Sequence, residues 1–380
     1  MNICIVTHCV KKGDGQGRVN YEVVKKALEH GYKITIISSD LSIDLHEHPN
    51  VTWIRIAANG IPSNLLKNQY FAIVSALLIW SHKARADLII ANGFITYAKS
   101  DINCVHLVHS TWANSKYHPI RRKKNLRTIY HFFYNQLNAV LEKYAFKKTG
   151  HIIAVSSQVK HELQVDAKVN KTAISVIHNG VDTDEFSPKL LDRENYKLNK
   201  HKKYGLFAGD LKSGIKNFET VLYAISKVDG FELLVLGDAN HTNYPELANR
   251  LGIKDRVHFL GYRKDIADIM SLADIFIFPS RYESFSLVIL EALATGLPVI
   301  MSTCCGVVDL MTEDSVLLLN DPNDAEQLSQ LIKQLINNPD KLSKMSLEAR
   351  NVALKNQWVI MADKYLELFK EYSSELKYAK

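Results

Sequence analysis

Arg281-Tyr-Glu-Ser-Phe-Ser-Leu-Val-Ile-Leu-Glu-Ala-Leu-Ala-Thr-Gly-Leu-Pro-Val-Ile300 is the stretch from which the fold of this chain follows. The apolar run 273–279 before it predicts a buried parallel strand. Ser284 or Ser286 can cap the helix that the composition favours next. Gly296 then ends that helix as a left-handed C-cap, and the residues after it predict another strand. The stretch is therefore predicted to be one strand–helix–strand unit of a parallel sheet.

Two glutamates of this stretch need a physical explanation. Glu283 follows the predicted strand, and Glu291 lies in the helix among Leu, Ile and Ala. An unpaired carboxylate is costly to bury. Glu291 would lie about two helical turns beyond Glu283, rotated by roughly 80°, so both could face one crevice. The alternatives are a ligand site at a helix N-terminus, where backbone amides favour phosphate, and a surface helix with one outward glutamate.

The composition is that of a folded protein with more than one domain. The chain has 380 residues, of which 47% are hydrophobic and 23% are charged, and its formal net charge is +7. This length suits two domains of about 180 residues, and the charge permits an anionic partner without requiring nucleic acid. The five cysteines form no Cys-x-x-Cys pair, which indicates a reducing compartment. Because we find no signal peptide and no apolar run long enough for a bilayer, we expect a cytoplasmic protein.

Predicted strands and helices alternate along the chain in two series. The first series begins at residue 2, and the second begins at residue 204 after a charged segment without apolar periodicity. This pattern predicts an α/β protein with two Rossmann-like, doubly wound parallel sheets, in domains over 1–186 and 187–356. Ligands of such sheets bind beyond the carboxyl ends of the strands, so two facing domains would define a cleft.

A glycine-rich segment follows the first predicted strand. It contains Gly15 and Gly17 and precedes a helix predicted over 19–30. A glycine-rich loop between a strand and a helix predicts a phosphate-binding site. The segment is a poor dinucleotide fingerprint, because Asn20 stands where a third Gly or Ala belongs. A nicotinamide cofactor, with Asp40 on its ribose, and a loop without a ligand stay open as alternatives.

Two histidines accompany the strand predicted over 103–108. His109 follows this strand at the carboxyl edge of the sheet, where ligands of doubly wound sheets bind. His109 is therefore a candidate hydrogen-bond donor to a ligand, or part of a proton path. His106 alternates inward, and we expect it to be a hydrogen-bonded core residue.

The segment from Arg121 to Arg127 is strongly basic and leads into a helix rich in Tyr and Phe over 129–146. Contact with the anionic head groups of a membrane and a solvated face both explain this pattern. Nucleic acid is not expected as a partner, because no known binding module accompanies the charge. The segment allows a peripheral position at the inner face of the membrane.

Nearly the whole chain resembles the retaining nucleotide-sugar glycosyltransferases of the GT-B fold, a group that includes sucrose synthases and many bacterial cell-surface mannosyltransferases and glucosyltransferases. The most specific element is 279–299, with two glutamates separated by seven residues. Val-Ile-His-Asn179-Gly180-Val-Asp182 matches the motif that precedes the second domain. The resemblance implies a C-terminal helix over 357–380 that crosses back to the first domain.

The resemblance also implies roles for individual residues. Glu283 would lie against the donor sugar at the reacting face, and His109 would lie near the sugar, both as catalytic residues. Glu291 would accept hydrogen bonds from the ribose hydroxyls. Gly15 and Gly17 match a loop that closes on the diphosphate. Sugar hydroxyls and phosphate would be held by a run that follows the first glutamate: Ser284, Phe285, Ser286 and Leu287.

The same group places an arginine and a lysine on the diphosphate, after the first strand of the second domain. Lys216 matches the lysine and is predicted to be catalytic, but Asp210 stands at the arginine position. Lys212 or Arg18 could supply the missing cation. Two cations and a helix N-terminus would neutralise the leaving diphosphate, so no metal ion and no cofactor is expected. The remaining candidates for donor binding are Gly209, Tyr262 and Arg263.

These residues predict a retaining glycosyltransferase that moves a sugar from a UDP- or GDP-sugar to a cell-surface glycan or a lipid-linked acceptor. The transition state would be oxocarbenium-like, so catalysis would rest on leaving-group stabilisation and positioning. Three other classes stay open: a GT-B epimerase that acts on the nucleotide sugar itself, an NAD-dependent oxidoreductase, and a non-catalytic binding relative. The oxidoreductase leaves Glu291 and the second ligand edge unexplained.

Overall fold

The computed structural model describes residues 1–58, 60–81, 86–121, 124–170 and 172–378. They form two compact units, Met1–Asn179 with Trp358–Lys380, and Gly180–Gln357. Val181 pairs with Gln357 in a parallel bridge, so the second unit begins and ends at adjacent points. The domain boundaries that the sequence pattern predicts, after 186 and 356, stay predictions.

The first unit is a parallel sheet with helices between its strands. In chain order its elements are β1 (Asn2–Val6), β2 (Cys9–Val10), α1 (Gly15–Glu29), β3 (Lys33–Ser38), β4 (Asp40–Leu41), α2 (Ile43–His46), β5 (Val51–Arg55), α3 (Asn64–Trp80), β6 (Leu88–Asn92), β7 (Ile102–Val105), α4 (His109–Asn114), α5 (Leu126–Lys147), β8 (His151–Ala154), α6 (Ser157–Val165) and β9 (Ala173–Val176). Among the described residues, seven strands form one parallel sheet in the order β5-β3-β1-β6-β7-β8-β9, and β2 pairs with β4 in a short ribbon. Its central strands are apolar and buried, as is usual when helices cover both faces of a parallel sheet.

The second unit repeats this architecture. Its elements are β10 (Lys203–Ala208), α7 (Phe218–Ile225), β11 (Phe231–Leu236), α8 (Tyr244–Arg250), β12 (Val257–Gly261), α9 (Ile266–Leu272), β13 (Ile275–Phe278), α10 (Leu287–Ala294), β14 (Val299–Ser302), β15 (Val316–Leu319), α11 (Ala325–Ile336) and α12 (Pro339–Leu354). In the described part of this unit, six parallel strands follow the order β12-β11-β10-β13-β14-β15. This is the strand order of a Rossmann sheet, whose ligand edge lies where the order reverses, between β10 and β13.

Helix α13 (Trp358–Tyr378) belongs to the first unit, although it follows the second unit in the chain. It packs on α1. The guanidinium of Arg18 lies 5.5 Å from the centre of the Trp358 ring, and Lys26 and Asp363 form a 3.2 Å ion pair. Tyr365 is buried in the core of the unit. The burial of these aromatic side chains stabilises α13 in this position.

The start of α1 differs from the sequence-based expectation. The helix begins at Gly15 rather than at residue 19, because the Asp14 side chain accepts a 2.6 Å hydrogen bond from the Gly17 N–H and caps the helix. Gly15 and Gly17 therefore lie in the first helical turn and not in a loop. Two other local predictions are confirmed. The strand expected in the run 273–279 is β13, and Gly296 has a φ of +71° after the last turn of α10.

The fold-class prediction is confirmed, because both units are Rossmann-like parallel sheets of α/β architecture. The charged segment 187–203 is held against the second unit: the Arg193 guanidinium donates to the Leu272 carbonyl at 3.0 Å and to Asp274 at 2.9 Å. None of the helices that the structure describes combines the length and the apolar character that crossing a membrane requires.

Candidate functional site

A lysine and a glutamate meet at the carboxyl edge of the second sheet. Lys216 lies in the loop after β10, and Glu283 follows β13. Nζ of Lys216 and Oε1 of Glu283 form an ion pair, and the two side chains are 25% and 14% exposed. The Ser280 hydroxyl lies 3.3 Å from the same carboxylate oxygen. These two predicted catalytic residues therefore share one site at the ligand edge of the sheet.

The backbone of Glu283 is fixed by the segment that follows β14. Its N–H donates to the Cys304 carbonyl at 3.0 Å, and its own carbonyl accepts a 2.9 Å hydrogen bond from the Gly306 N–H. Glu283 and Cys305 are partners in this parallel bridge. Cys305 is buried, and burial raises the pKa of its thiol to about 12, so it acts as a neutral packing residue. Paired backbone on both sides thus fixes the direction of the Glu283 side chain.

Lys216 lies in a tight and partly desolvated position. Burial lowers its pKa, because desolvation disfavours the ammonium form, while the charge of Asp210 acts in the opposite direction. Its Nζ lies 5.5 Å from the centre of the Phe278 ring. Gly209 leaves room for this side chain, because a Cβ atom there would lie 3.2 Å from Cγ of Lys216. Gly209 therefore supports Lys216, and its contact with a donor stays a prediction.

Asp210, at the position where the resemblance implies an arginine, organises its own loop. Its carboxylate accepts hydrogen bonds from the N–H groups of Lys212 at 2.9 Å and Ser213 at 3.2 Å. The ammonium of Lys212 pairs with Asp238, and these two side chains are 53% and 49% exposed. An exposed pair of this kind contributes little to stability. An anionic ligand can therefore compete with Asp238 for Lys212.

The turn between Glu283 and α10 is strained at Ser286. This residue occupies the N-cap position, as the sequence analysis allows, but its side chain does not cap the helix. Its φ of 92° differs from the extended conformation of an ordinary N-cap, which explains the missing hydrogen bond. Oγ of Ser286 is buried without a hydrogen-bond partner among the described residues. Such strain is typical of functional sites.

The other donor-binding candidates of this unit lie around α10 and after β12. Phe285 is buried, whereas Ser284 and Leu287 are partly exposed. Glu291 lies in the middle of α10 and is partly buried. Tyr262 is 87% exposed, and the Arg263 guanidinium forms two hydrogen bonds with Asp265, at 2.8 and 2.6 Å. Their proposed contacts with a donor stay predictions.

In the first unit, the glycine segment is already engaged within the protein. The Gly17 N–H donates to Asp14, so this amide is occupied rather than open to phosphate. A Cβ atom at Gly17 would lie 2.8 Å from Sγ of Cys9, which explains the glycine by close packing. Arg18 donates a 2.7 Å hydrogen bond to Glu22 and stacks on Trp358. Arg18 thus packs between its own helix and α13.

His109 begins α4, and a buried glutamate holds this helix end. The strand expected over 103–108 ends at Val105, and α4 starts at His109. The carboxylate of Glu142 accepts hydrogen bonds from the N–H groups of His109 at 2.8 Å and Ser110 at 2.9 Å, and from the Ser110 hydroxyl at 2.8 Å. Burial raises the pKa of Glu142 to about 7, although these hydrogen bonds favour its ionised form.

Asn135 links His109 to His118. Nδ1 of His109 lies 3.1 Å from Oδ1 of Asn135, and Nδ2 of Asn135 lies 3.1 Å from Nε2 of His118. Nδ1 of His118 lies 3.3 Å from the Ile120 N–H. Burial lowers the pKa of His109, while the hydrogen bond with Asn135 acts in the opposite direction. These contacts hold the His109 ring in one orientation.

The expectation for His106 is wrong in one respect. The residue is turned inward, but its Nε2 is buried without a hydrogen-bond partner among the described residues. Burial lowers the pKa of His106 to about 4, so the ring is neutral at ordinary pH. His106 follows the last residue of β7, Val105, so it lies just outside the strand.

Several supporting residues were missed by sequence reasoning. Arg281 anchors the loop before Lys216, since its guanidinium donates to the Gly214 carbonyl at 2.7 Å and to Asn323 at 2.8 Å. Glu142, Asn135 and His118 support His109, and the first two lie far from it in sequence. The one available signal was Glu142, a carboxylate within an aromatic, apolar helix.

Two predictions concern a metal site and a basic surface. Within the described ranges, no group of three or more His, Cys, Asp or Glu side chains is placed to hold a metal ion. The basic segment from Arg121 to Arg127 is partly described: Arg121, Lys124 and Arg127 are exposed, whereas Arg122 and Lys123 lie outside the described residues. Its contact with a membrane stays a prediction.

Curated relatives of this chain include enzymes that transfer sugars. The chain is 24% identical over 350 residues to the N-acetyl-alpha-D-glucosaminyl L-malate synthase of Bacillus anthracis. This match covers 88% of each protein. It is 27% identical over 301 residues to the UDP-Gal:alpha-D-GlcNAc-diphosphoundecaprenol alpha-1,3-galactosyltransferase of Escherichia coli. This second match covers 76% of this chain and 72% of that protein.

Solved structures with the same fold cover the whole chain. The sucrose-phosphate synthase of Thermosynechococcus elongatus superimposes with a TM-score of 0.81 at 18% identity, over 98% of this chain and 99% of that one. The Anabaena protein HepE, solved in complex with UDP and glucose, gives a TM-score of 0.72 at 20% identity, over 97% and 99% of the two chains. HepE is thus a protein of this fold that was solved with a nucleotide and a sugar.

Two family models divide the chain between them. The model of glycosyltransferase family 4 matches residues 13–185, and the model of glycosyl transferases group 1 matches residues 189–352. Together they cover both units, and they agree with the paired Rossmann-like sheets. This chain belongs to the group 1 glycosyltransferases.

Proposed function

We propose that this protein is a retaining glycosyltransferase that uses a nucleoside diphosphate sugar. The observation that carries this proposal is the Lys216–Glu283 pair, at the carboxyl ends of β10 and β13. Lys216 offers positive charge to a leaving diphosphate, and the N-terminus of α10 adds the positive end of a helix dipole. Glu283 offers a carboxylate to the positive charge that develops at the anomeric carbon. The site therefore contains both charges that such a transition state needs.

The proposed donor is a UDP- or GDP-sugar, held without a metal ion. The E. coli relative is named for UDP-Gal, and HepE was solved with UDP and glucose, which supports the uridine form. Lys212 is the second cation that we propose for the diphosphate, because its partner Asp238 is exposed and easily replaced. Glu291 would bind the ribose, as the resemblance implies.

The proposed acceptor is a lipid-linked intermediate or a cell-surface glycan. The support is the E. coli relative, whose acceptor is a sugar on diphosphoundecaprenol. We propose retention of the anomeric configuration, with His109 near the donor sugar, from the resemblance to retaining enzymes. The Gly17 amide is not included among the phosphate contacts, because it donates to Asp14. These assignments rest on matched positions in the sequence.

The experiment that tests the donor is a thermal-shift screen of UDP- and GDP-sugars, with and without a chelator. A ligand that binds the folded state raises the melting temperature by mass action. The donor found in this way is then incubated with candidate acceptors, and proton NMR of the product reports the anomeric configuration. Conversion of the donor without any acceptor would favour an epimerase, and an inverted product would contradict retention.

Matched variants test the site itself. We expect Glu283→Gln and Lys216→Ala each to lower turnover by about a hundredfold or more, because each removes a charge that stabilises the transition state. Lys227→Ala and Glu326→Gln are the controls, since those residues form an exposed ion pair in the same unit. Circular dichroism shows whether each variant is folded. Unchanged turnover in a folded Glu283→Gln variant would contradict the proposed catalytic role of Glu283.

A further inference from the structure

Helix α5 distributes its side chains in the reverse of the usual pattern. Its buried face includes polar residues, among them Asn135, Asn138 and Glu142. Its outward face is apolar, and the exposed fractions of its large side chains run from 37% to 88%: Leu126, Tyr130, Phe133, Leu137, Val140 and Tyr144. Their spacing of three and four residues places them on one stripe of the helix. A surface helix normally turns such a stripe to the core.

Helix α3 adds a second stripe beside the first. Its exposed apolar residues are also three and four apart, and they are 43% to 57% exposed: Leu66, Tyr70, Ile73, Leu77 and Trp80. The two helices are neighbours, because the Leu65 N–H donates to the Tyr130 hydroxyl at 3.2 Å and the Asn68 amide donates to the Tyr134 hydroxyl at 2.7 Å. We name these two stripes together the α3–α5 face. A contiguous apolar surface of this kind marks an interaction site.

The charges of the α3–α5 face have one sign. The sequence of α3 contains no Asp or Glu, and α5 contains one, Glu142, which is buried against α4. The charged side chains that the two helices carry to the surface are cationic: Lys67, Arg127, Lys143 and Lys147. The basic segment from Arg121 to Arg127 includes Leu126, the first residue of the stripe. The face therefore combines apolar contact area with positive charge.

A basic cavity lies where the ends of the two helices meet. Its volume is about 500 Å³, and it is lined by Trp80, Tyr97, Lys99, Lys147 and Lys148, with Thr149 and Gly150. Tyr97 lies edge-on to Tyr144, and Nζ of Lys148 lies 4.0 Å from the centre of the Tyr144 ring. Three lysines beside Trp and Tyr make a site for an anionic head group, next to rings that favour the boundary of a membrane.

We propose that the α3–α5 face docks on an anionic lipid bilayer, with a phosphate-bearing head group in the cavity at Trp80 and Lys147. Apolar side chains would enter the outer part of the bilayer while the lysines contact lipid phosphates. A second copy of this chain is a poorer occupant, because two such faces would bring like charges together. The inference is independent of the proposed sugar transfer, since it uses neither Lys216 nor Glu283.

The experiment measures binding of the full chain to vesicles. Phosphatidylglycerol-rich vesicles are compared with pure phosphatidylcholine vesicles, by co-sedimentation and by intrinsic fluorescence. Trp80, 57% exposed, is the most exposed of the four tryptophans. We expect binding to the anionic vesicles with a blue shift of the emission, and loss of that shift in Trp80→Phe. Phe133→Asp and Val140→Asp should each lower binding by about tenfold or more, because a charge replaces an inserted apolar side chain.

Control variants distinguish the effect of the apolar surface from the effect of its positive charge and from a general effect of the substitution on the protein. Leu347→Asp is the matched control for Phe133→Asp, because Leu347 is 64% exposed on α12 and Phe133 is 65% exposed. Lys147→Glu should lower binding to anionic vesicles by about tenfold, and Lys200→Glu, on the second unit, should not. The proposal fails if both vesicle types bind equally, if Leu347→Asp and Phe133→Asp behave alike, or if sedimentation shows a dimer that Phe133→Asp dissociates while vesicles stay unbound.

Discussion

The backbone N–H of His109 donates a 2.8 Å hydrogen bond to Oε2 of Glu142, a residue only 1% exposed. This contact ties the first turn of α4 to the inward side of α5. A carboxylate at a helix N-terminus is favourable because it meets unpaired N–H groups and the positive end of the helix dipole. The same helix turns its apolar residues outward, so the position of His109 and the α3–α5 face depend on one element.

The pKa of Glu142 predicts a pH-dependent stability. Burial raises this pKa from 4.5 to about 7, so between these values the folded chain holds a proton that the unfolded chain releases. The stabilisation from this group is therefore complete below about pH 4.5 and is lost as pH rises through about 7. Each pKa unit corresponds to about 1.4 kcal/mol, so the loss is about 3 kcal/mol at most. In Glu142→Gln this loss should be absent.

Urea denaturation at about pH 5 and about pH 8 measures the difference between Glu142→Gln and the wild type. The free energy of unfolding of the variant should increase relative to that of the wild type as pH rises. Glu313→Gln is the control, because Glu313 is exposed. A wild-type-to-variant difference that stays constant over this range would contradict the raised pKa.

Replacing Ser286 by glycine should stabilise the protein. Its φ of 92° is unfavourable for a residue with a Cβ atom, and its buried hydroxyl has no partner among the described residues. We expect Ser286→Gly to raise the free energy of unfolding by about 1 kcal/mol, measured by chemical denaturation. Ser284→Gly, two residues earlier, should be neutral or destabilising. An equal gain in both variants would show that backbone strain at residue 286 is not the cause.

Gly209 should affect activity through Lys216. A Cβ atom at residue 209 would lie 3.2 Å from Cγ of Lys216, so Gly209→Ala should displace this side chain and lower turnover by about tenfold. In the Lys216→Ala background the same change should cost little more, because the two effects share one route. Turnover is measured by release of the nucleoside diphosphate. Independent, multiplicative losses would mean that Gly209 acts in another way.

Gly17 should be needed for packing at the start of α1. A Cβ atom there would lie 2.8 Å from Sγ of Cys9, 3.0 Å from Oδ1 of Asp14 and 3.1 Å from the Lys11 carbonyl. We expect Gly17→Ala to lower the free energy of unfolding by about 1–3 kcal/mol, as overpacking usually does. Adding Cys9→Ala to the Gly17→Ala variant should restore only part of the lost stability, because the close contacts with Asp14 and Lys11 remain. A fully stable Gly17→Ala variant would contradict the packing explanation.

Much of the fold was predictable because local patterns are strong in a doubly wound sheet. The run 231–236 is apolar except at Glu232 and became β11, and Gly296 ended α10 with the expected positive φ. The start of α1 was missed, because glycines suggested a loop while the Asp14 cap, which extends the helix, depends on side-chain geometry. The inward direction of Glu142 was also outside sequence reasoning, because an amphipathic pattern does not say which side faces the core.

The sequence by itself determined the alternation of strands and helices, the two sheets, and the pair of glutamates after β13, because periodicity and turn residues act over a few positions. The tertiary structure alone decided what those residues touch. It brought Lys216 to Glu283 across the strand order reversal of the second sheet, and it turned the apolar side of α5 outward. These arrangements depend on residues far apart in the chain, and burial, charge and close packing select them only after the sheets have formed.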